Sequence, residues 1–145
     1  VYKRQGLIIS AIGLGGLLLE GIGDTIRISL TASPREEVLA ARELLQAVER
    51  RTDWPRLISC PTCGRCEIDL MSLVKKVEKR LIGMKKSITV AVMGCVVNGP
   101  GEDREADVGI AGGKKAGLVF RNGKIVKKVR EEQLIEALFR EIDKI

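Results

Sequence analysis

The chain has 145 residues, 45% hydrophobic and 30% charged, as is typical of a globular protein, and no apolar run reaches the about 18 residues that cross a bilayer. The net charge of +6 favours anionic partners, but aromatic residues make up only 3% of the chain and offer few surfaces for stacking single-stranded nucleic acid. Histidine is absent, which excludes histidine bases, catalytic triads and the commonest zinc ligand.

The first 50 residues are predicted to form a helix, a strand and a second helix. Residues 7–20 are mostly apolar with interspersed glycines, and we expect a buried helix there. Residues 25–30, TIRISL, are typical of a short buried strand. Ser33 is the predicted N-cap of the next helix, with Pro34 at its first position and Glu36 completing a capping box. This order of elements is typical of an α/β barrel or a doubly wound sheet.

The segment RTDWPR, residues 51–56, breaks the pattern and is the predicted domain boundary. Beyond it we expect a compact α/β unit of about 90 residues. Its predicted elements are strand 57–59, helix 67–81, strand 87–93, a hairpin turning at Asn122-Gly123, and a closing helix over 130–145. The buried face of the 67–81 helix is predicted to carry Ile68, Met71, Val74, Val77 and Leu81.

The four cysteines lie in two loops that follow predicted strands. Cys60, Cys63 and Cys66 come after strand 57–59, and Cys95 comes after strand 87–93. Open α/β sheets bind their ligands at the carboxyl ends of strands. Four interpretations compete: buried free thiols, a disulfide framework, a redox pair of Cys60 and Cys63, or a metal site.

The spacing favours a metal site. Zinc ribbons usually present two C-x-x-C pairs, and the second pair is missing here. A run of three cysteines with one distant cysteine is closer to the loops that hold iron–sulfur clusters. Spacing alone therefore predicts a [4Fe–4S] cluster on Cys60, Cys63, Cys66 and Cys95.

Two motifs resemble a known family. SCPTCGR, followed about 30 residues later by VMGCVVNGPGE, resembles the C-terminal cluster domain of 4-hydroxy-3-methylbut-2-enyl diphosphate synthase. SAIGLGGLLLEGIGDTIRISLTASPREEV is similar to the end of that family's TIM-type barrel. The resemblance implies an α/β chain in which residues 1–52 end an incomplete TIM-type (β/α)8 barrel and residues 57–145 form a small, sulfite-reductase-like α/β [4Fe–4S] cluster domain. Because the chain begins with VYKRQ and no initiator Met, we expect its start to lie upstream.

The resemblance also changes the predicted ligand set. It implies that Cys60, Cys63, Cys95 and Glu102 ligate the [4Fe–4S] cluster, and it makes Cys66 a bystander, because many members of the family have no cysteine there. A carboxylate is a harder and more weakly held iron ligand than a thiolate, so it can leave one iron open to a substrate oxygen. Glu102 is for this reason also the predicted catalytic residue.

The activity that the resemblance implies is reductive ring opening of 2-C-methyl-D-erythritol 2,4-cyclodiphosphate to 4-hydroxy-3-methylbut-2-enyl diphosphate, in the non-mevalonate isoprenoid pathway. Electrons would come singly from reduced ferredoxin or flavodoxin, and the protein would be a cytoplasmic homodimer. Arg27 and Ser29 share one side of the predicted 25–30 strand and are expected to bind the cyclic diphosphate substrate. We expect no nucleic-acid and no membrane partner.

Three further expectations complete the prediction. The 145-residue chain alone is expected to hold a cluster but to be inactive, because most substrate-binding positions of the family lie in the missing part of the barrel. One alternative is a non-catalytic electron-transfer module with an all-cysteine [4Fe–4S] cluster, in which Cys66 is essential and Glu102 is not. Another is a small zinc-stabilised domain that binds nucleic acid.

Overall fold

The computed structural model describes residues 2–96, 106–114 and 116–145. The predicted ligand Glu102 lies outside the described residues. The chain divides into two compact units, Val1–Asp53 and Trp54–Ile145. Across the part of the chain that the structure describes, no helix is long and apolar enough to cross a bilayer.

The first unit contains two helices, α1 (Lys3–Leu19) and α2 (Pro34–Ala47). α2 begins as predicted, with Ser33 extended at the N-cap and Pro34 at the first helical position. The predicted capping box is wrong, because the Ser33 side chain makes no capping hydrogen bond. Glu36 instead forms an ion pair with Lys3, 2.7 Å from carboxylate oxygen to Nζ. The Glu36 carboxylate, which the capping box requires, thus forms an ion pair between the two helices.

The predicted strand over residues 25–30 is wrong, since the structure has no strand there. Burial still alternates along the segment: Ile28 is buried, while Arg27 and Ser29 are exposed on the other side. A strand needs a neighbour with which to exchange backbone hydrogen bonds. Among residues 2–53 the structure places no strand that could be that neighbour.

α1 is less buried than its apolar sequence predicts. Gly6, Gly15 and Leu18 are its buried residues. Large apolar side chains remain exposed at Ile8, Ile9, Ile12, Leu17 and Leu19. In the first unit the core comprises only Leu18, Ile28, Ala40 and Leu44 with their partly buried neighbours, so one side of α1 is covered and the other faces outward.

The second unit is a mixed sheet with helices. Its elements are β1 (Arg56–Ser59), α3 (Leu70–Leu81), β2 (Thr89–Met93), β3 (Val108–Ala111), β4 (Ala116–Arg121), β5 (Lys124–Arg130), a 3-10 turn (Glu131–Gln133) and α4 (Leu134–Ile142). The strands lie in the order β1-β2-β3-β4-β5. β1, β2 and β3 are parallel, and β3, β4 and β5 are antiparallel. The sheet is therefore mixed, with its parallel half nearest the cysteine loops.

The turn between β4 and β5 confirms the predicted hairpin. Asn122 has a φ of 47° and Gly123 a φ of 71°. Positive φ at both central residues is what a type I′ turn requires, and its twist matches that of the flanking strands. A two-residue signal in the sequence is therefore enough to define this corner of the sheet.

α3 begins at Leu70, three residues after its predicted start. Asp69 is its N-cap, and the carboxylate of Asp69 accepts a hydrogen bond of 3.1 Å from the backbone N–H of Ser72. The predicted position of Met71 on the buried face is wrong, since Met71 is 67% exposed. The predicted burial of Val77 and Leu81 is confirmed, and Leu70 is buried with them. Leu70 and Val77 are seven residues apart on one face, and Met71 lies about 100° around the helix from Leu70.

Among the described residues of the second unit, the helices α3 and α4 pack against one face of the sheet. The core joins Leu70, Val77 and Leu81 of α3 and Leu134, Leu138 and Ile142 of α4 to Val90, Val92, Val108, Ile110, Val119 and Val129 of the strands. α3 also contacts α4 directly, because the guanidinium of Arg80 lies 3.8 Å from the ring centre of Phe139. The hydrophobic cluster on the opposite face of the sheet is smaller and is centred on Ala91, Met93, Ala111 and Phe120.

The close packing of this second face generates a stability prediction. A Cβ atom at Gly109 would overlap the Phe120 ring and lie 2.8 Å from the Ala91 carbonyl oxygen. We therefore expect Gly109→Ala to lower the free energy of unfolding by about 1–3 kcal/mol. Gly13, inside α1, has nothing within 4 Å of the same position, so Gly13→Ala should raise that free energy by about 0.5–1 kcal/mol. Urea denaturation followed by circular dichroism measures both variants, and effects of the same sign would contradict the prediction.

Candidate metal centre

Two neighbouring parallel strands deliver cysteines to the same edge of the sheet. β1 ends at Ser59 and is followed at once by Cys60, while β2 ends at Met93 and is followed by Gly94 and Cys95. Ser59 pairs with Val92, so the two strands end almost level. Since parallel strands place their carboxyl ends at one edge, Cys60 and Cys95 belong to one loop region.

Gly94 lies close to the side chains of two cysteines, Cys60 and Cys66. Its backbone N–H donates a hydrogen bond of 3.3 Å to Sγ of Cys60. A Cβ atom at position 94 would lie 2.6 Å from Sγ of Cys66 and 3.3 Å from Cδ2 of Leu70. The Gly94 carbonyl oxygen also accepts a 3.0 Å hydrogen bond from the Glu67 N–H. Only glycine lets the end of β2 approach the cysteine loop this closely.

Cys63 and Cys66 are the first and last residues of a tight turn. The backbone N–H of Cys66 donates a 3.0 Å hydrogen bond to the carbonyl oxygen of Cys63. Cys63 is exposed, and hydrogen bonds from the backbone N–H and side chain of Arg65 lower the pKa of its thiol. A lower pKa increases the thiolate fraction near neutral pH, and the thiolate is the form that ligates metals. The Cys66 thiol is half-buried, and its Sγ lies 3.2 Å from the Ile68 carbonyl oxygen.

The segment after β3 also contacts the cysteine loop and the end of β2, and these contacts were not predicted from the sequence. The carboxylate of Glu67 accepts a 2.9 Å hydrogen bond from the Lys114 N–H, and the Gly112 N–H donates a 2.7 Å hydrogen bond to the Met93 carbonyl oxygen. Ile68 packs directly over Gly112, where a Cβ atom would overlap its side chain. The sequence signal was the pair Gly112-Gly113 after the buried segment VGIA, which marks a close backbone approach.

The structure brings some of the predicted ligands together and not others. Cys60 and Cys66 both contact Gly94, and Cys95 follows Gly94 directly with only 6% of its surface exposed. Within residues 2–96, 106–114 and 116–145, no three cysteine, aspartate or glutamate side chains converge closely enough to hold a metal ion. The predicted substrate-binding residues lie in the first unit, both exposed and on the same side of their segment.

The donor set fits an iron–sulfur cluster in its chemistry. All four cysteines are free thiols, which become the thiolates that such clusters need. One of them, Cys60, already accepts a backbone N–H at its sulfur. Hydrogen bonds to the sulfur ligands are among the features by which proteins stabilise and tune these clusters. The residues around Gly94 therefore suit a thiolate site.

Comparison with known proteins places the chain in a family. A family model described as the GcpE protein C-terminal domain matches residues 56–144, and one described as the GcpE TIM-barrel domain matches residues 2–42. The chain is 56% identical over 141 residues to a protein of Clostridium tetani and 59% identical over 141 residues to one of Geobacter sulfurreducens. A Clostridium acetobutylicum protein is 60% identical over 139 residues.

All three relatives are named 4-hydroxy-3-methylbut-2-en-1-yl diphosphate synthase (flavodoxin). The alignments cover 96–97% of this chain but 40% of each relative, so the chain spans less than half the length of the proteins it matches. The resemblance predicted from the two sequence motifs is confirmed. The chain belongs to the GcpE family of 4-hydroxy-3-methylbut-2-en-1-yl diphosphate synthases.

Proposed function

We propose that this chain is the C-terminal part of an enzyme that reductively opens 2-C-methyl-D-erythritol 2,4-cyclodiphosphate to 4-hydroxy-3-methylbut-2-enyl diphosphate. In this proposal, residues 57–145 hold a [4Fe–4S] cluster, and residues 1–52 are the end of a TIM-type barrel. The names of the relatives support a synthase of the isoprenoid pathway that depends on flavodoxin. The family resemblance is also the basis for proposing that the enzyme is a homodimer in the cytoplasm.

The observation that carries the proposal is the hydrogen bond from Gly94 to Cys60 at the shared end of β1 and β2. Backbone N–H groups that donate to cysteine sulfurs are among the features by which proteins hold iron–sulfur clusters. The same glycine brings Cys95 to the edge where the loop of Cys60 and Cys63 begins. These three cysteines are the proposed thiolate ligands, and Glu102 is the proposed fourth ligand.

The residues of this chain position the ligands. Gly94 orients Cys60, and Glu67 ties the cysteine loop to both the end of β2 and the segment after β3. When bound, the cluster would supply electrons to the substrate one at a time. A carboxylate from Glu102 would be displaced from iron more readily than a thiolate, which suits a site that must admit a substrate oxygen.

The first unit would contribute to substrate binding. Arg27 is exposed, and a guanidinium is suited to binding a diphosphate through paired hydrogen bonds. Ser29 lies on the same side of the segment and adds a hydroxyl donor. The apolar side chains that α1 leaves exposed support the proposal that further barrel elements cover this helix in the full-length enzyme.

The ligand set is tested by loading variants of the 145-residue chain with iron and sulfide without oxygen. Cys60→Ser, Cys63→Ser and Cys95→Ser should each lose the cluster, because loss of a ligand should lower metal affinity by more than the roughly 10–100-fold typical of changes outside the ligand shell. Glu102→Ala should lower iron content and change the spectrum. Cys66→Ser is the matched control and should retain the cluster. Iron and acid-labile sulfide analysis measures the outcome.

The same set of variants separates the alternatives. Loss of iron from Cys66→Ser together with full loading of Glu102→Ala would support an all-cysteine electron-transfer site and reject the proposed ligands. Zinc without sulfide in the purified chain would instead support the zinc-stabilised domain. Each alternative thus predicts a different metal content for the same samples.

The packing of Cys66 on Gly94 gives a second prediction. Gly94→Ala should lower the free energy of unfolding by about 1–3 kcal/mol and reduce cluster loading, because its Cβ would press on Sγ of Cys66. Cys66→Ala removes that sulfur, so the double variant should recover part of both losses. A double-mutant cycle with urea denaturation and iron analysis measures the coupling. Strictly additive effects would show that the two residues do not touch.

The third prediction concerns activity. Arg27 and Ser29 are the substrate contacts proposed on this chain, and most other substrate-binding positions of the family lie in the rest of the barrel. The diphosphate site of the 145-residue chain would therefore be incomplete. The reconstituted 145-residue chain should therefore contain a cluster that a chemical reductant reduces, yet should form no product from the cyclic diphosphate. Product analysis by mass spectrometry checks this, with a full-length relative as the positive control. Steady turnover by the 145-residue chain would contradict the proposal.

A further inference from the structure

Cys63 and Cys66 are placed so that a disulfide could join them. They begin and end a β-turn closed by the 3.0 Å hydrogen bond from the Cys66 N–H to the Cys63 carbonyl oxygen. The Cα atoms at the ends of a β-turn lie within about 7 Å, and disulfides span Cα distances of about 4.4–6.8 Å. The backbone therefore already holds the two residues near the separation that the bond requires.

Little opposes the movement of the Cys66 sulfur. Its contact with the Ile68 carbonyl oxygen uses a thiol, which is a weak hydrogen-bond donor. Rotation about χ1 would release this contact and move the sulfur away from Gly94. Cys66 is not one of the proposed cluster ligands, so its thiol remains available.

Pairings that involve Cys95, and the pairing of Cys60 with Cys63, are less favourable. Cys95 is buried and inaccessible to an external oxidant. Cys60 and Cys63 are also three residues apart, but residues 60–63 form no hydrogen-bonded turn, and the Cys60 sulfur accepts the Gly94 N–H. Cys63 is the exposed cysteine among the described residues, so it would meet an oxidant first.

We propose that Cys66 protects Cys63 by forming a reversible disulfide with it whenever the cluster is absent. The oxidant is a low-molecular-weight disulfide such as oxidised glutathione. The Cys63 sulfur attacks it, forming a mixed disulfide and releasing one small thiol. The Cys66 sulfur then attacks the Cys63 sulfur and releases the second small thiol. Two cysteine thiols are oxidised by two electrons, and one small disulfide is reduced to two thiols.

The consequence of this bond rests on the proposed function, although its formation does not. A free exposed thiol can be oxidised to sulfinic acid, which most cysteines cannot reverse, whereas a disulfide is restored by thiols. Cys63 would thus survive loss of the cluster and become a ligand again after reduction. Loading of the cluster would then depend on a reducing environment.

The test uses the metal-free 145-residue chain treated with oxidised glutathione. Trypsin cleaves after Arg56, Arg65 and Lys75, so Cys63 and Cys66 fall in separate peptides, residues 57–65 and 66–75. Digestion without reductant should yield the two peptides joined, two hydrogen atoms lighter than their sum. The joined species should disappear on reduction with dithiothreitol. Mass spectrometry reads both results.

Variants identify the partner. The joined species should persist in Cys60→Ser and be absent from Cys63→Ser and Cys66→Ser, and Cys66→Ser should instead carry glutathione on the 57–65 peptide. Circular dichroism confirms that each variant is folded. A joined species that survives Cys63→Ser, or a parent chain that carries glutathione on Cys63 and no cross-link, would overturn the proposal. Iron loading of the reduced chain is scored separately, so a chain that forms the cross-link but takes up no cluster rejects the proposed function alone.

Discussion

The close approach of Gly94 to the cysteine loop is the constraint on which the second unit's site depends. The end of β2 passes so near the loop that a single methyl group at position 94 would meet the Cys66 sulfur. At this distance the Gly94 N–H reaches the Cys60 sulfur and its carbonyl oxygen reaches the Glu67 N–H. The parallel pairing of β1 with β2 makes the approach possible, because it ends both strands at one edge of the sheet.

The same constraint places the cysteines in different environments. Cys60 accepts a backbone hydrogen bond, Cys95 is buried beside the glycine, and Cys63 stands exposed at the start of its turn. Cys66 ends that turn, and its sulfur lies against Gly94 at the end of β2. The two cysteine loops thus contain thiols in four different environments.

Local signals in the sequence predicted local structure well. Asn122-Gly123 predicted its hairpin because positive φ at both residues is a property of those residue types. Strand 25–30 was wrong because strand formation needs a neighbour, and no neighbour is present among residues 2–53. β3 went unpredicted because four residues with both faces buried carry no alternation to detect. The position predicted for Met71 is wrong because the buried face of α3 is centred on Leu70 and Val77, about 100° around the helix from Met71.

The environment of Cys66 shows what sequence spacing leaves out of a metal-site prediction. Spacing alone does not distinguish Cys66 from the other three cysteines, because it carries no information on where each sulfur points. In the folded unit the Cys66 sulfur lies against Gly94 and the Ile68 carbonyl oxygen. The Ile68 contact is local, two residues along the chain, whereas the contact with Gly94 depends on the pairing of β1 with β2. A sulfur directed into such packing must turn away from it to ligate a metal, whereas Cys60 already has a backbone donor at its sulfur. The physical basis for treating the two cysteines differently is therefore tertiary: it lies in one glycine that follows the neighbouring strand β2.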